Sequence, residues 1–114
     1  MYKFEKLKVW HEILKLIKLI YNVVKELPNS ERNGLSDQLR RSVISIALNL
    51  AEGCGTSSDK EFRSFIKISV KSQYETVAGL KIIEGLFPQI NVKAALDQSE
   101  IVGKMLHGLY RSIK

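Results

Sequence analysis

Helical periodicity is strongest near the start of the chain, where residues 4–27 read FEKLKVWHEILKLIKLIYNVVKEL. Apolar side chains return there every three or four residues, as they do on one face of an α-helix. The main face of this helix is predicted to carry Trp10, Ile13, Ile17, Ile20, Val24 and Leu27, with Leu16, Leu19 and Val23 beside it. Pro28 ends the pattern, because the residue before a proline avoids the helical region. The first helix is therefore predicted over residues 4–27.

The same spacing continues outward along the chain and predicts three more helices, over about residues 35–53, 59–86 and 92–113. Gly53 and Gly55 suit a left-handed C-cap after the second helix. Ser58 and Glu61 have the spacing of a capping box before the third helix, and Asn91 can cap the fourth. No segment alternates as a β-strand does. Four helices joined by short loops predict a single all-α domain, an antiparallel up-and-down four-helix bundle over residues 1–114.

Composition places the chain among ordinary globular domains. Its 114 residues are 45% hydrophobic and 26% charged, which argues against wholesale disorder. The single cysteine, Cys54, allows neither an internal disulfide nor a Cys-based zinc site, so we expect a reducing, cytoplasmic setting. No uncharged apolar run approaches the ~18–20 residues of a membrane span. The first residues include acidic side chains and lack the continuous apolar stretch of a signal peptide, so no signal peptide is predicted.

The second and third helices carry more apolar residues than one core stripe uses. These extra residues form a second stripe that consists of Ile44, Leu48 and Ala51 on the second helix and Ile66, Val70 and Val77 on the third. A helix in a four-helix bundle buries one stripe, so a second stripe calls for another partner. We interpret it as an interface between copies of the chain. The alternative is a wide core face or scattered exposed apolar residues, which are common.

A polar ladder accompanies the apolar stripe of the second helix. Its members on that helix are Gln38, Arg41, Ser45, Asn49 and Glu52, and Ser72 and Glu75, together with Ser69 and Thr76, can face them from the third helix. Residues spaced three and four apart share one helix face. We interpret the ladder as a hydrogen-bond network that sets the register of the two helices, since partly buried polar groups usually find internal partners. The alternative is a polar groove for phosphate or base edges.

A basic row is predicted on the third helix, within about one-quarter of its circumference. The row comprises Lys60, Arg63, Lys67, Lys71, Tyr74 and Lys81, and a second set on the first helix comprises Lys8, Lys15, Lys18 and Lys25. The net charge is +6. Basic side chains interleaved with an aromatic ring suit phosphate contacts and base stacking, so we interpret both sets as nucleic-acid contacts. The alternative is a solvated outer face.

Catalytic and metal-binding motifs are missing from the sequence. His11 and His107 lie nearly the whole chain apart, and no metalloprotease, phosphate-loop or dinucleotide motif occurs. We predict no catalytic residues, no metal and no cofactor, and hence no enzyme. A nuclease dependent on Ser45 or Glu52 is a remote alternative.

The chain resembles a known family in the motifs just described. The matching positions are Phe4-Glu-Lys-Leu7-x-Val9-Trp10, the Pro28 turn with Glu31, Gln38-Leu-Arg-Arg41-Ser42-x-x-Ser45-Ile46-x-x-Asn49-x-Ala51-Glu52-Gly53, Glu61-Phe62, Phe65 and Ser72-x-x-Glu75. They are similar to the four-helix-bundle proteins encoded within intervening sequences of bacterial 23S ribosomal RNA genes. The chain departs from the usual pattern at Thr56, where a basic residue is common, and at Lys71, where a small residue is usual.

The resemblance implies an antiparallel four-helix bundle that assembles into a homopentamer in some relatives. A related branch, the accessory variability determinant of diversity-generating retroelements, is a basic pentamer that binds nucleic acid and a reverse transcriptase. We therefore expect a non-enzymatic homo-oligomer, with a pentamer favoured, that binds RNA or other nucleic acid with low sequence specificity. The alternative is an oligomeric adaptor for a ribosome- or polymerase-associated protein, with little nucleic-acid affinity. No membrane partner is expected.

Overall fold

Four α-helices account for most of the chain in a computed structural model that describes residues 1–113. They are α1 (Lys8–Lys25), α2 (Leu35–Cys54), α3 (Asp59–Leu86) and α4 (Lys93–Ser112). Two 3-10 helices, Lys3–Lys6 and Asn29–Glu31, precede α1 and α2. No strand occurs within residues 1–113. The prediction of an all-α four-helix bundle is confirmed.

The four helices occupy the corners of a square in cross-section. α1 and α3 each contact both α2 and α4, whereas α1 and α3 do not contact each other and therefore lie at diagonal corners. Hydrogen bonds between α2 and α3 join Ser42 to Thr76 and Ser45 to Ser72, so one number rises while the other falls and the two helices are antiparallel. This arrangement places the α1/α2 edge of the bundle opposite its α3/α4 edge.

The first helix is shorter than the predicted span of residues 4–27. Leu7 is extended, with φ −84° and ψ 133°, and separates the initial 3-10 helix from α1. The Glu5 carboxylate accepts the Tyr2 N–H at 2.8 Å, which closes the 3-10 turn on itself. At the other end, the N–H groups of Glu26 and Leu27 donate to carbonyls only three residues back, so the chain leaves α-geometry before it reaches the proline.

The two glycines at the end of α2 form no left-handed cap, and Gly53 instead serves close packing. Gly55 has φ −86° and ψ −4°, and no glycine of residues 1–113 has a positive φ, so the C-cap prediction is wrong. A Cβ at Gly53 would lie 2.9 Å from the Phe65 Cβ and 3.0 Å from the Phe62 ring. Gly53 is therefore required by the close approach of α3.

Ser58 caps α3 as predicted, whereas the N-cap of α4 is Val92 and Asn91 acts from the position before it. The Ser58 hydroxyl accepts the Glu61 N–H at 3.1 Å at the start of α3. The Asn91 side-chain oxygen accepts the Lys93 N–H at 3.0 Å at the start of α4. These bonds satisfy donors that the first turn of a helix leaves without partners.

The core takes in residues that were predicted to lie outside it. Ile66 is fully buried, so its assignment to the interface stripe is wrong. Leu16 and Val23 are also buried, although they were predicted to lie beside the core face of the first helix. Each helix packs against two neighbours, and this widens its buried arc beyond one stripe. Of the predicted interface residues, Leu48 is the most exposed at 55%, and Ile44 and Ala51 beside it, like Val70 and Val77 on α3, are half-buried.

Serine, threonine and glycine line the contact between α2 and α3, which we call the α2/α3 seam. Its hydrogen bonds are Ser42 Oγ to Thr76 Oγ1 at 2.9 Å, Ser45 Oγ to Ser72 Oγ at 2.8 Å, and Ser69 Oγ to the Ile46 carbonyl at 2.9 Å. A Cβ at Gly79 would lie 2.9 Å from the Leu39 side chain, so the absence of a Cβ at this position also lets the two helices approach closely. The short hydroxyl side chains bond across the seam because the two backbones are close.

A polar contact between α1 and α4 predicts an acid-dependent loss of stability. Gln98 donates to the Glu12 carboxylate at 3.0 Å and to its carbonyl at 2.9 Å. This bond, followed by the bond from Lys15, holds the pKa of the Glu12 carboxyl below its usual value. A lowered carboxyl pKa stabilises the fold above the unfolded-state value of about 4.3, and that stabilisation is lost as the pH falls through the folded-state pKa.

We therefore expect Gln98→Ala to unfold at a lower temperature than the wild type at about pH 7, and the gap to shrink near pH 3. Thermal unfolding followed by circular dichroism at both pH values measures it. Glu12→Gln is the control, because its amide oxygen accepts the same bond without titrating in this range. An equal gap at both pH values would mean that the carboxylate charge has no part in the effect.

Candidate nucleic-acid interface

The basic row predicted on the third helix lies along one flank of α3. Lys60, Lys67, Lys71 and Lys81 are exposed, Arg63 is half-buried, and Tyr74 is 68% exposed. Lys81 lies 3.4 Å from the Glu84 carboxylate of the same helix. The row runs from the first turn of α3 to Lys81, and Lys67, Lys71, Tyr74 and Lys81 line the openings between α3 and α4.

Helix α4 adds two residues to the middle of this row, and together they form what we call the basic patch. The patch consists of Arg63, Lys67 and Lys71 from α3 and His107 and Tyr110 from α4. The Lys67 ammonium lies 5.7 Å from the centroid of the Tyr110 ring, a cation–π distance. A hollow of about 260 Å³ opens between Lys67, Lys71, His107 and Tyr110, and Val70 also lines it. Arg63 reaches the carbonyl of Ile113 at 3.5 Å.

The lysines of the first helix do not join the basic patch. Lys8, Lys15, Lys18 and Lys25 are all exposed on α1, at the corner diagonal to α3. Lys15 pairs with Glu12 at 2.9 Å. A nucleic-acid strand that runs straight along the α3/α4 edge would therefore not meet the α1 lysines of the same monomer.

The predicted polar ladder divides into a bonded part and a solvated part. Ser45 bonds to Ser72 across the α2/α3 seam, and the Asn49 amide donates to the Ser45 carbonyl at 2.9 Å and to its hydroxyl at 3.0 Å. Arg41 instead pairs with Asp37 on its own helix, at 2.9 Å. Gln38, Glu52 and Glu75 are exposed, as Arg41 is, and none of these three side chains makes a hydrogen bond within residues 1–113. The network is thus narrower than predicted.

The outer face of α2 forms a shallow depression with α1. It has a volume of about 490 Å³ and is lined by Tyr21, Arg40, Ile44, Leu48, Asn49 and Glu52, among others. Tyr21 and Leu48 are 40% and 55% exposed. The depression therefore gathers exposed apolar side chains on the edge of the bundle opposite the basic patch, although others, such as Ile68 and Ile82, are exposed on α3.

Groups with catalytic potential are dispersed in the structure. Residues 1–113 contain no cluster of three or more His, Cys, Asp or Glu side chains arranged to hold a metal ion. Cys54 is buried, and burial raises the pKa of its thiol, although Lys3 opposes the rise. Thr56, one of the family departures, donates to the Gly53 carbonyl at 2.7 Å. None of the four helices, within the described chain, is both long and apolar enough to cross a bilayer.

Comparison with known proteins agrees with this geometry at the level of the family. A family model described as 23S rRNA-intervening sequence protein matches residues 5–108. The match takes in the α2/α3 seam and most of the basic patch. No curated protein matches the chain. Because the match spans nearly the whole chain, this four-helix bundle belongs to the 23S rRNA-intervening sequence protein family.

Proposed function

We propose that the protein is a non-enzymatic, homo-oligomeric bundle that binds RNA through the basic patch. The observation that carries this proposal is the convergence of Lys67 and Lys71 from α3 with His107 and Tyr110 from α4 around one hollow. Cations and a half-buried aromatic ring on one groove match the two features of a nucleic-acid strand that do not depend on sequence, its phosphates and the faces of its bases.

The charge balance of the patch supports binding over a merely solvated surface. No carboxylate of residues 1–113 lies within 4.0 Å of the Lys67 or Lys71 ammonium groups, and the same holds for Lys18 and Lys25 on α1, whereas other lysines pair with a neighbouring acid. What distinguishes the patch is the close spacing of Lys67 and Lys71. Lys67 and Lys71 repel each other, since they lie four residues apart on one helix face. A polyanion would relieve that repulsion.

Self-association is proposed for the opposite edge. Tyr21, Ile44 and Leu48 present partly exposed apolar surface where α1 meets α2, and a second copy of the chain would cover it. The family resemblance favours a pentamer. With Ile66 in the core and Val70 and Val77 within the α3/α4 groove, the interface proposed here is confined to α1 and α2.

The second candidate function is a protein-interaction adaptor with little nucleic-acid affinity. It is favoured by the same depression on α1 and α2, which combines exposed Leu48 with Asn49 and Glu52 and so offers a docking protein both apolar and polar contacts. On this alternative the basic patch is only a solvated surface.

Light scattering coupled to size exclusion tests the proposal, with and without a structured RNA, at about 0.1 M salt, where the Debye length is about 10 Å. We expect a stable oligomer that co-elutes with RNA and releases it as the salt is raised, because phosphate contacts release counterions. An oligomer that ignores RNA would favour the adaptor. A monomer would refute the proposed self-association, and salt-insensitive RNA binding would refute the electrostatic mechanism.

A further inference from the structure

A larger cavity lies in the α3/α4 groove beside the basic patch. Its volume is about 560 Å³, and its α3 wall includes Gln73, Tyr74 and Val77. The hollow of the basic patch ends at Lys71, so the two openings follow each other along the same flank of α3. Binding pockets for small organic groups measure roughly 300–1,000 Å³. A strand whose phosphates lie on the basic patch would reach this cavity within the next turn of the helix.

The inner wall of the cavity holds a buried amide with an unused acceptor. The Gln73 side chain is only 5% exposed, and its Nε2 donates to the Ser99 carbonyl at 2.8 Å. Its Oε1 has no hydrogen-bond partner within residues 1–113, nor has the neighbouring Ser99 hydroxyl. Gly103 leaves room for this arrangement, since a Cβ there would lie 2.9 Å from Nε2. Most buried polar groups are paired, so an unpaired acceptor beside a cavity points to a donor on a ligand.

The other walls suit a flat, uncharged ring. Tyr74 is 68% exposed at the cavity rim, and Val77 and Leu96 form apolar sides. Lys81 also lines the cavity, opposite Asp97 and Glu100 on the α4 side, so the two carboxylates outnumber the one ammonium and would repel a phosphate. The cavity therefore differs in chemistry from the basic patch: the patch attracts phosphate, whereas the cavity favours an aromatic ring with hydrogen-bond donors.

We propose that the cavity receives one unpaired base of the bound strand and prefers a base with an exocyclic amine. This inference rests on the proposed function. Tyr74 stacks on the base, and the amine donates to Gln73 Oε1. That oxygen is screened from solvent, so the amide turns about its broad terminal torsion to present Oε1 to the entering amine, and this turn gives up the Nε2 bond to the Ser99 carbonyl. Uracil carries a carbonyl where cytosine carries its amine, so it offers Oε1 no donor at that position, and its N3–H donor lies one ring position away.

Fluorescence anisotropy with matched single strands of about 12 nucleotides tests the proposal at about 0.1 M salt. The probes are oligocytidine, oligouridine and an abasic deoxyribose-phosphate strand. We expect oligocytidine to bind about tenfold more tightly than oligouridine, and the abasic strand to bind most weakly. Tyr74→Leu should weaken oligocytidine binding about tenfold and leave the abasic strand unaffected, whereas Tyr74→Phe keeps the affinity.

Two further variants separate the cavity from general effects. Gln73→Met keeps the length of the side chain without its acceptor, so the preference for cytidine over uridine should fall to about one. Tyr2→Leu removes a tyrosine that is 74% exposed far from the cavity and should change nothing. If the Gln73 variant fails to fold, the exposed Tyr74 still decides the question.

The outcomes distinguish the two proposals. Equal affinity for all three strands, with salt dependence retained, overturns the base cavity and leaves the basic patch standing. Loss of the cytidine preference in Tyr2→Leu also overturns it. If none of the strands binds, the abasic strand included, the proposed function itself fails and the cavity proposal fails with it.

Discussion

Gly53→Ala is expected to lower the free energy of unfolding by about 1–3 kcal/mol, the usual cost of overpacking a core. The added Cβ would lie 2.9 Å from the Phe65 Cβ, an atom next to the backbone that cannot turn away. It would also lie 3.0 Å from the Phe62 ring. The end of α2 must then move away from α3 and open the α2/α3 seam. Urea denaturation at a fixed protein concentration measures the change.

Gly85→Ala is the matched control for this substitution. Gly85 also lies within a helix, α3, but no atom lies within 4 Å of the position its Cβ would take. Alanine should stabilise this site by about 0.5–1 kcal/mol, because it has the higher helix propensity. If the two variants had the same free energy of unfolding, the close approach at Gly53 would not contribute to stability.

Reversing two charges in the basic patch is the second change with a large expected effect. In Lys67→Glu/Lys71→Glu, we expect the RNA affinity at about 0.1 M salt to fall by at least about tenfold. The slope of log affinity against log salt concentration should become shallower by roughly one to two. Both side chains are exposed, so the fold should survive. Anisotropy titrations at several salt concentrations give both the affinity and the slope.

The control is Lys18→Glu/Lys25→Glu on α1, which changes the net charge by the same amount at the diagonal corner of the bundle. It should reduce the affinity much less than the α3 pair does. Equal losses in the two variants would mean that overall charge governs binding and that the patch is no distinct site. An RNA affinity unchanged in both would favour the adaptor function.

The helices and their order could be predicted because apolar periodicity is a local property. The start of the first helix could not, because Leu7 adopts an extended conformation that depends on the bond between Tyr2 and Glu5 and not on helix propensity. Ile66 was assigned to the outside because a helical wheel does not tell how many neighbours a helix has. With α2 on one side and α4 on the other, α3 buries it fully.

The candidate site was predictable only in the part that one helix contributes. The basic row on α3 follows from spacing alone, and so does the prediction that serines of the third helix face the polar ladder, but the particular bond between Ser45 and Ser72 does not. His107 and Tyr110 are spaced three apart on α4, a signal of a shared face, but their place beside Lys67 depends on which flank of α3 meets α4. The unpaired Gln73 oxygen depends on side-chain packing, which periodicity does not encode.

The opposite placement of the α1/α2 and α3/α4 edges has a consequence for avidity. The bundle is 44 Å long and 23 Å across. Copies that join through α1 and α2 would direct every basic patch outward, so that an RNA long enough to pass from one copy to the next would meet the second patch at an effective concentration in the millimolar range. Affinity would then rise in steps with strand length, and short strands would dissociate quickly while long ones stayed bound.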